Sequence, residues 1–376
     1  MISDVPSPTL LVDLDRMQRN AQKMRERAKA LGVRFRPHVK THKCTRILDV
    51  VFGPGDARAI TVSTLREAEV FADAGVRDIL YGVGITNAKL PRVKSILEGG
   101  ARLSVVVDTL ESASQLVDYA EANAVTIPVW IEIDADGHRA GVPSGSPRLI
   151  EIGRVLTASS SAEFVGVMTH AGASYGKVGA QALSAHAELE RSQCVEAAQK
   201  LRSVGIACPN VSVGSTPTAT FAEHLEQVTE LRAGVYVFQD LYQAGLRVCD
   251  LDDIALSVLC TVIGVNAERG LLITDAGWMA LSRDRGTASQ DIDYGYGQVC
   301  ALNGEVIDDT IVASANQEHG IIAKRGDGTL DLRAYPIGTR LRILPNHACA
   351  TAAQHDGYIV VSGESVVDRW SRANGW

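Results

Sequence analysis

The chain has 376 residues, 46% of them hydrophobic and 22% charged, and a formal net charge of -7. This is an ordinary globular composition, and its acidic balance argues against a nucleic-acid footprint, which needs a basic face. No apolar run reaches the ~20 residues of a membrane span, the polar opening MISDVPSPT is no signal peptide, and the seven cysteines are scattered without a CxxC pair, which points to reduced thiols in the cytoplasm.

A strand is expected at residues 9–13, then a helix over 14–31 with apolar spacing at Met17, Ala21, Met24 and Ala28. Short β-rich runs follow at 33–36, 59–62, 79–81, 103–107, 129–133, 164–168, 211–213 and 230–233, with helical segments such as 65–74 between them. Eight such units predict an α/β chain folded as a (β/α)8 TIM-like barrel rather than an open Rossmann sheet. No GxGxxG follows a first strand, which weakens a dinucleotide reading further. Beyond about residue 250 the runs at 255–266, 270–275, 310–315, 339–344 and 358–362 are separated by Gly, Asp and Asn turns. They predict an antiparallel β domain. The expected division is 12–248 for the barrel and 1–11 with 249–376 for the β-rich domain, whose sheet the opening strand could join.

Reacting groups in such barrels sit past the C-terminal ends of the strands. The stretch RFRPHVKTHK (34–43) places Lys40 there, just beyond Pro37, among His38, His42 and Lys43. A lysine crowded by cations has its ammonium form disfavoured, and the neutral amine is the nucleophile that covalent chemistry on an aldehyde cofactor needs. Taken alone, the same residues describe a solvated basic loop. Strand seven runs into Gly214-Ser215-Thr216-Pro217-Thr218 and strand eight into Gly234 and Tyr236, the two positions where these barrels bind phosphate. Two donor-rich loops together with a lysine after strand one point to a phosphorylated cofactor. Strand five ends in Asp134, Asp136, His138 and Arg139. The acidic pair reads either as a metal site or as a turn around Gly137, whereas a guanidinium at 139 suits a phenolate oxygen. Strand six ends at His170, with Tyr175 beyond a small-residue loop.

In the C-terminal domain LPNHACAT sets His347 and Cys349 two residues apart, so both point to one face if the segment is extended. Imidazole with thiolate suits a borderline-soft divalent metal, zinc first, with manganese, cobalt or magnesium as alternatives. Two protein ligands leave room for substrate oxygens and Lewis-acid catalysis. By itself the pair is equally a buried cysteine beside a hydrogen-bonded histidine.

RPHVKTHK, DGHRAGV, SVGSTPT, RAGVYVFQD, DAG, EHG and PNHACAT, in this order and almost end to end, resemble the fold-type III pyridoxal-phosphate enzymes of the D-serine dehydratase and D-threonine aldolase family. The resemblance implies an alanine racemase-like barrel, pyridoxal 5'-phosphate held by Lys40, and Arg139 near its phenolic oxygen. It sets His170 and Tyr175 beside the ring and Gly214, Ser215, Thr216, Gly234 and Tyr236 around the phosphate. His347 and Cys349 match the family's metal pair, and its dehydratases read His-x-Cys where D-threonine aldolases read His-x-Asp. The implied activity is elimination from a small D-3-hydroxy amino acid, 3-hydroxyaspartate foremost and D-serine second, by a cytoplasmic homodimer with no nucleic-acid or membrane partner. A metal-dependent D-threonine aldolase and a non-catalytic pyridoxal-phosphate carrier are the competing readings. A substrate with a second carboxylate would want further donors, for which Arg283, Gln298 and His319 are candidates.

Overall fold

A computed structural model describes residues 1–53, 55–326 and 328–376. The chain divides into two compact units, Lys23–Gly234 with Ala373–Trp376 and Met1–Gln22 with Val235–Arg372. It opens with β1 (Thr9–Asp13) and α1 (Leu14–Ala30), in which Met17, Ala21, Met24 and Ala28 form the buried stripe that their spacing predicts.

Strands and helices then alternate through β2 (Arg34–Pro37), α2 (Leu48–Val51), β3 (Ala59–Val62), α3 (Leu65–Asp73), β4 (Asp78–Gly84), α4 (Leu90–Glu98), β5 (Arg102–Val107) and α5 (Leu110–Ala122). They continue through β6 (Ile127–Asp134), the short β7 (Val142–Pro143), α6 (Pro147–Ala158), β8 (Ala162–Thr169), α7 (Ala180–Ser203), β9 (Asn210–Val213), α8 (Thr216–Phe221) and β10 (Glu230–Ala233). Among the described residues the parallel sheet runs β2-β10-β9-β8-β6-β5-β4-β3, with β7 beside β6. A bridge between His38 and Thr61, with the Val39 N–H donating to the Thr61 carbonyl at 2.9 Å, spans the remaining gap between β2 and β3. The sheet is thus a nearly closed barrel, as expected, and its seam lies one residue before Lys40.

Three of the turns into the helices are short, and in each a hydroxyl caps the helix. Thr64 accepts from the Glu67 N–H at 3.0 Å, Thr109 from Ser112 at 3.0 Å and Ser215 from Thr218 at 3.2 Å, each two positions past the end of a strand. A chain of polar contacts crosses between strands. Arg36 donates to Glu230 at 2.7 Å and to Asp78 at 2.9 Å, Ser212 donates to Glu230 at 2.8 Å, and Arg232 to Ser212 at 2.5 Å. Arg36 and Glu230 are both buried, and a buried charge persists only with such partners.

The other unit holds α9 (Leu241–Gly245), β11 (Leu256–Asn266), β12 (Leu271–Thr274), α10 (Trp278–Leu281), β13 (Gln298–Cys300), β14 (Val306–Ala315), β15 (Gly320–Lys324), β16 (Arg340–Leu344), α11 (Ala348–Ala352), β17 (Gly357–Ser362) and β18 (Ser365–Ser371). Its sheet runs β12-β15-β14-β13-β16-β11-β1-β17-β18, and β12 also pairs β11, so part of it closes into a second, antiparallel barrel. The opening strand β1 sits between β11 and β17, over a core of Ile2, Val5, Leu11, Leu259, Ile359 and Val361. Strands β13, β15 and β18 were not foreseen, because glycine-rich or charged surroundings hide their alternation. Among the described residues no helix is long and apolar enough to cross a membrane.

Candidate active site

Pro37 ends β2, and Lys40 follows on the turn, partly exposed, its N–H donating to His38 Nδ1 at 3.3 Å. Two of the three cations expected around it are engaged elsewhere or uncharged. Lys43, at φ 45°, turns its Nζ onto the buried Glu67 carboxylate at 3.0 Å, which also accepts from the Ser63 N–H and hydroxyl, each at 2.9 Å. His38 is neutral, because burial, and then the charges of Lys40 and Arg232, push it well below the usual imidazole range.

His170 follows β8, with Nδ1 3.3 Å from the Gly214 carbonyl. A carbonyl only accepts, so the proton is on Nδ1 and Nε2 keeps its lone pair. Burial first, and then Lys40, lower this histidine to about 3, so it too is neutral near pH 7. The Tyr175 ring lies 6.2 Å from it at 51°. Between β8 and β9, Arg232 donates to the Thr169 carbonyl and to Ser212, buried and felt by both histidines.

After β9 the backbone at Gly214 adopts φ 130°, where a Cβ would run into the Arg232 carbonyl, so only glycine fits. Its N–H, expected to face an anion, donates instead to Glu190 at 3.0 Å. The Ser215 and Thr218 hydroxyls lie 3.0 Å apart in a reciprocal cap, and Ser174 approaches Ser215 at 3.1 Å. Thr216 is buried beside them, and at Gly234 a Cβ would stand 3.2 Å from the His38 carbonyl, so the ends of β2 and β10 meet there. Buried neutral hydroxyls, a lysine and two neutral imidazoles form a donor set that fits a phosphorylated aldehyde. Tyr236 is buried in the turn Val235–Val237 and belongs to the other unit.

Arg139 is 59% exposed and pairs with Glu132 of β6 at 3.5 Å. Burial raises the Glu132 carboxyl, and the guanidinium pulls against it. The acidic pair forms no metal site: Asp134 accepts from the Gly137 N–H at 2.7 Å, and Asp136 takes the Ala173 N–H at 2.9 Å and His186 Nε2 at 3.1 Å.

In the β-rich unit His347 and Cys349 do meet, though not on an extended segment as their spacing suggested. His347 is the residue before α11 and Cys349 lies in its first turn, so helix curvature brings the side chains into hydrogen-bond contact. His347 Nδ1 stands 2.7 Å from Asp284 Oδ2, so Nδ1 donates to the carboxylate and Nε2 is the nitrogen that would face a ligand once its own proton is displaced. Burial opposes charge on this ring, but Asp284, Cys349 and Asp240 together raise it to about 11. Asp240 accepts from Ala348 N–H at 2.9 Å and from Gln243 N–H at 2.9 Å, so one buried carboxylate caps both α9 and α11. Asn346 reaches the carbonyls of Asp284 at 3.1 Å and Gly295 at 2.7 Å. Among the described residues no group of three or more His, Cys, Asp or Glu is placed to hold a metal. An imidazole oriented by a carboxylate beside a thiol nevertheless suits a divalent ion with two protein ligands and open positions. Of the substrate-donor candidates, Gln298 is spent on three backbone carbonyls at 2.9 Å, and Arg283 stacks on Trp278 with 4.5 Å to the ring. The turns around DAG and EHG hold one another, Trp278 N–H donating to Asn316 at 2.9 Å.

Residues 12–241 match the alanine racemase N-terminal domain, and residues 255–361 a serine dehydratase domain. A D-threo-3-hydroxyaspartate dehydratase of Delftia sp. (strain HT23) is 50% identical over 374 residues, covering 98% of each chain. The chain belongs to the family of D-threo-3-hydroxyaspartate dehydratase and D-serine dehydratase. A D-serine dehydratase of Dictyostelium discoideum is 33% identical over 97% of this chain and 96% of its own. Two solved structures of D-threo-3-hydroxyaspartate dehydratase superpose with TM-score 0.97 at 48% identity, covering 100% of this chain and 97% and 99% of theirs. One is a histidine-to-alanine variant and the other a cysteine-to-alanine variant in the metal-free form, and the substituted positions are two residues apart. Within this candidate site the sequence pointed to the lysine, the loops and the His-x-Cys pair, and passed over Arg232, Glu190, Asp240 and Asp284. A charge inside an apolar strand was the one signal that Arg232 offered.

Proposed function

We propose that the chain is a pyridoxal 5'-phosphate- and divalent-metal-dependent dehydratase that converts D-threo-3-hydroxyaspartate to oxaloacetate and ammonia, with D-serine as a second substrate. The observation that carries this is the His347–Cys349 pair, joined at a helix start and oriented by Asp284, in a chain 50% identical end to end to a D-threo-3-hydroxyaspartate dehydratase. The two-residue spacing equals that of the positions substituted in the two variant structures.

Bound pyridoxal phosphate supplies an electron sink for charge at the substrate's Cα, and the metal supplies Lewis acidity at the departing 3-hydroxyl. Lys40 Nζ would hold the aldehyde as its nucleophile and, when free, would be the base at the substrate's Cα. His170 stays neutral and holds its Nδ1 proton on the Gly214 carbonyl, so it adds no charge beside the ring. Arg139 serves the phenolic oxygen and Tyr175 lines the ring. Ser215, Thr216, Gly234 and Tyr236 would hold the phosphate, with Gly214 shaping that turn while its N–H stays on Glu190, and His347 with Cys349 would hold the metal. On this reading residues 12–248 serve the cofactor, and 1–11 with 249–376 the metal. That functional division differs from the packing units at 12–22, 235–248 and 373–376. The imidazole–thiolate pair favours zinc, the free cysteines a cytoplasmic protein, and the family a homodimer.

The test is a product assay with D-threo-3-hydroxyaspartate, D-serine and D-threonine, each with and without a chelator. Keto acid and ammonia, lost on chelation and restored by zinc, are expected. Glycine with an aldehyde would replace the dehydratase by an aldolase.

A further inference from the structure

Helix α7 carries two buried polar side chains one turn apart, His186 and Glu190, on the same face. Neither takes part in the chemistry above, and both spend their hydrogen bonds on the loops that do. Glu190 Oε1 accepts from the Ala171 N–H at 3.1 Å and from the Gly214 N–H at 3.0 Å, with Thr218 bonded to the same carboxylate. One oxygen thereby joins the loop after β8, which carries His170, to the loop after β9, which carries Ser215 and Thr216. His186 Nε2 lies 3.1 Å from Asp136 Oδ2, and the same oxygen takes the Ala173 N–H at 2.9 Å. The loop after β6, which carries Arg139, is thereby fixed to the turn that carries Tyr175. Shape reinforces the bond, because a Cβ at Gly172 would overlap the His138 ring.

Backbone N–H groups buried in a loop must find an acceptor. Here three of them, in two loops, are satisfied by carboxylates that depend on α7. We infer that Glu190 and His186 are positioning residues that set the three loops around the cofactor from behind. Glu190 acts on the phosphate loop, and His186, through Asp136, on the Arg139 and Tyr175 loops. This rests on the pyridoxal-phosphate reading of the site.

The experiment is titration of the resolved apoenzyme with pyridoxal 5'-phosphate and with pyridoxal, following visible absorbance and circular dichroism. It uses the wild type, Glu190→Leu, Glu190→Gln and His186→Leu. Glutamine keeps a carbonyl acceptor for both N–H groups and leucine keeps none. Glu190→Leu should weaken pyridoxal-phosphate binding about tenfold or more, the size of one lost buried hydrogen bond. Pyridoxal, which has no phosphate, should lose far less, and Glu190→Gln should stay within about threefold of wild type on the same argument. His186→Leu should lower the visible dichroism of the bound cofactor. Unchanged phosphate preference in Glu190→Leu, or a glutamine variant as impaired as leucine, would overturn the inference. If Glu190→Leu does not fold, His186→Leu decides, and wild-type affinity with wild-type dichroism there refutes it. A wild type that takes up no pyridoxal phosphate would overturn the site reading and this inference together.

Discussion

Acid sensitivity is where the site's electrostatics are most open to measurement. His170 has a folded pKa of about 3 against 6.5 when unfolded. Between those values the unfolded chain holds a proton that the folded chain does not. The stability is therefore complete above pH 6.5 and is lost as the pH falls toward 3. From pH 7 to pH 5 the unfolded histidine goes from mostly neutral to almost fully charged while the folded one stays neutral. At 1.36 kcal/mol per pKa unit, this one ring costs about 2 kcal/mol of stability over that interval. The result hardly depends on how far below 4 the folded value lies. The perturbation is His170→Asn, whose amide reproduces the Nδ1 donor toward the Gly214 carbonyl and cannot titrate. Urea unfolding of the apoprotein at pH 7 and pH 5 should show the wild type losing about 2 kcal/mol more than the variant over the interval. Equal losses would refute the assignment of a neutral, buried His170. His38, depressed for the same reasons, remains in both proteins and cancels in the comparison.

Lys40→Ala should abolish both turnover and the visible absorbance of the covalently held cofactor, and retained turnover would exclude Lys40 as the nucleophile. Asp284→Ala removes the partner of His347 Nδ1 and should weaken zinc affinity by about 10- to 100-fold in a competing-chelator titration, leaving pyridoxal-phosphate uptake unchanged. Unaltered zinc affinity would show that the ring is held by other contacts. Arg36→Met strands the buried Glu230 carboxylate and should cost about 3–5 kcal/mol in urea unfolding, part of it recovered by adding Glu230→Gln. A single variant as stable as wild type would mean that Ser212 and solvent suffice for that carboxylate.

Much of the barrel was legible because most of its strands are short apolar runs ended by a turn signal and followed by a helical repeat. Lys40 could be placed for the same reason, since Pro37 marks where β2 must stop. The His-x-Cys pair was picked out by its side-chain chemistry, and its condition of an extended segment is not met. Helix α11 has five residues, too few for periodicity to separate it from an extended segment. Residues that act at long range left no local signal. Asp284 lies 63 residues from His347, and Asp240 lies 108 from the N–H it caps at Ala348. Lys43 looked like a second cation beside Lys40 only while its distant partner Glu67 was unknown. Glu190, in the middle of a long helix, reads as a solvated carboxylate until the helix is seen to turn that face inward.

The placement of β1 has a consequence for how the molecule is made. The barrel unit is nearly one continuous stretch, Lys23–Gly234, and emerges from the ribosome whole before any of β11 or β17 has been synthesised. Strand β1, made first, has to wait for both neighbours, and they come from the last third of the chain. Trimming the first dozen residues would remove a central strand with partners on both sides, rather than fray an edge. A fragment beginning at Val235 would lack that strand from the outset, whereas supplying residues 1–22 as a separate peptide offers the missing partner to two exposed strand edges at once.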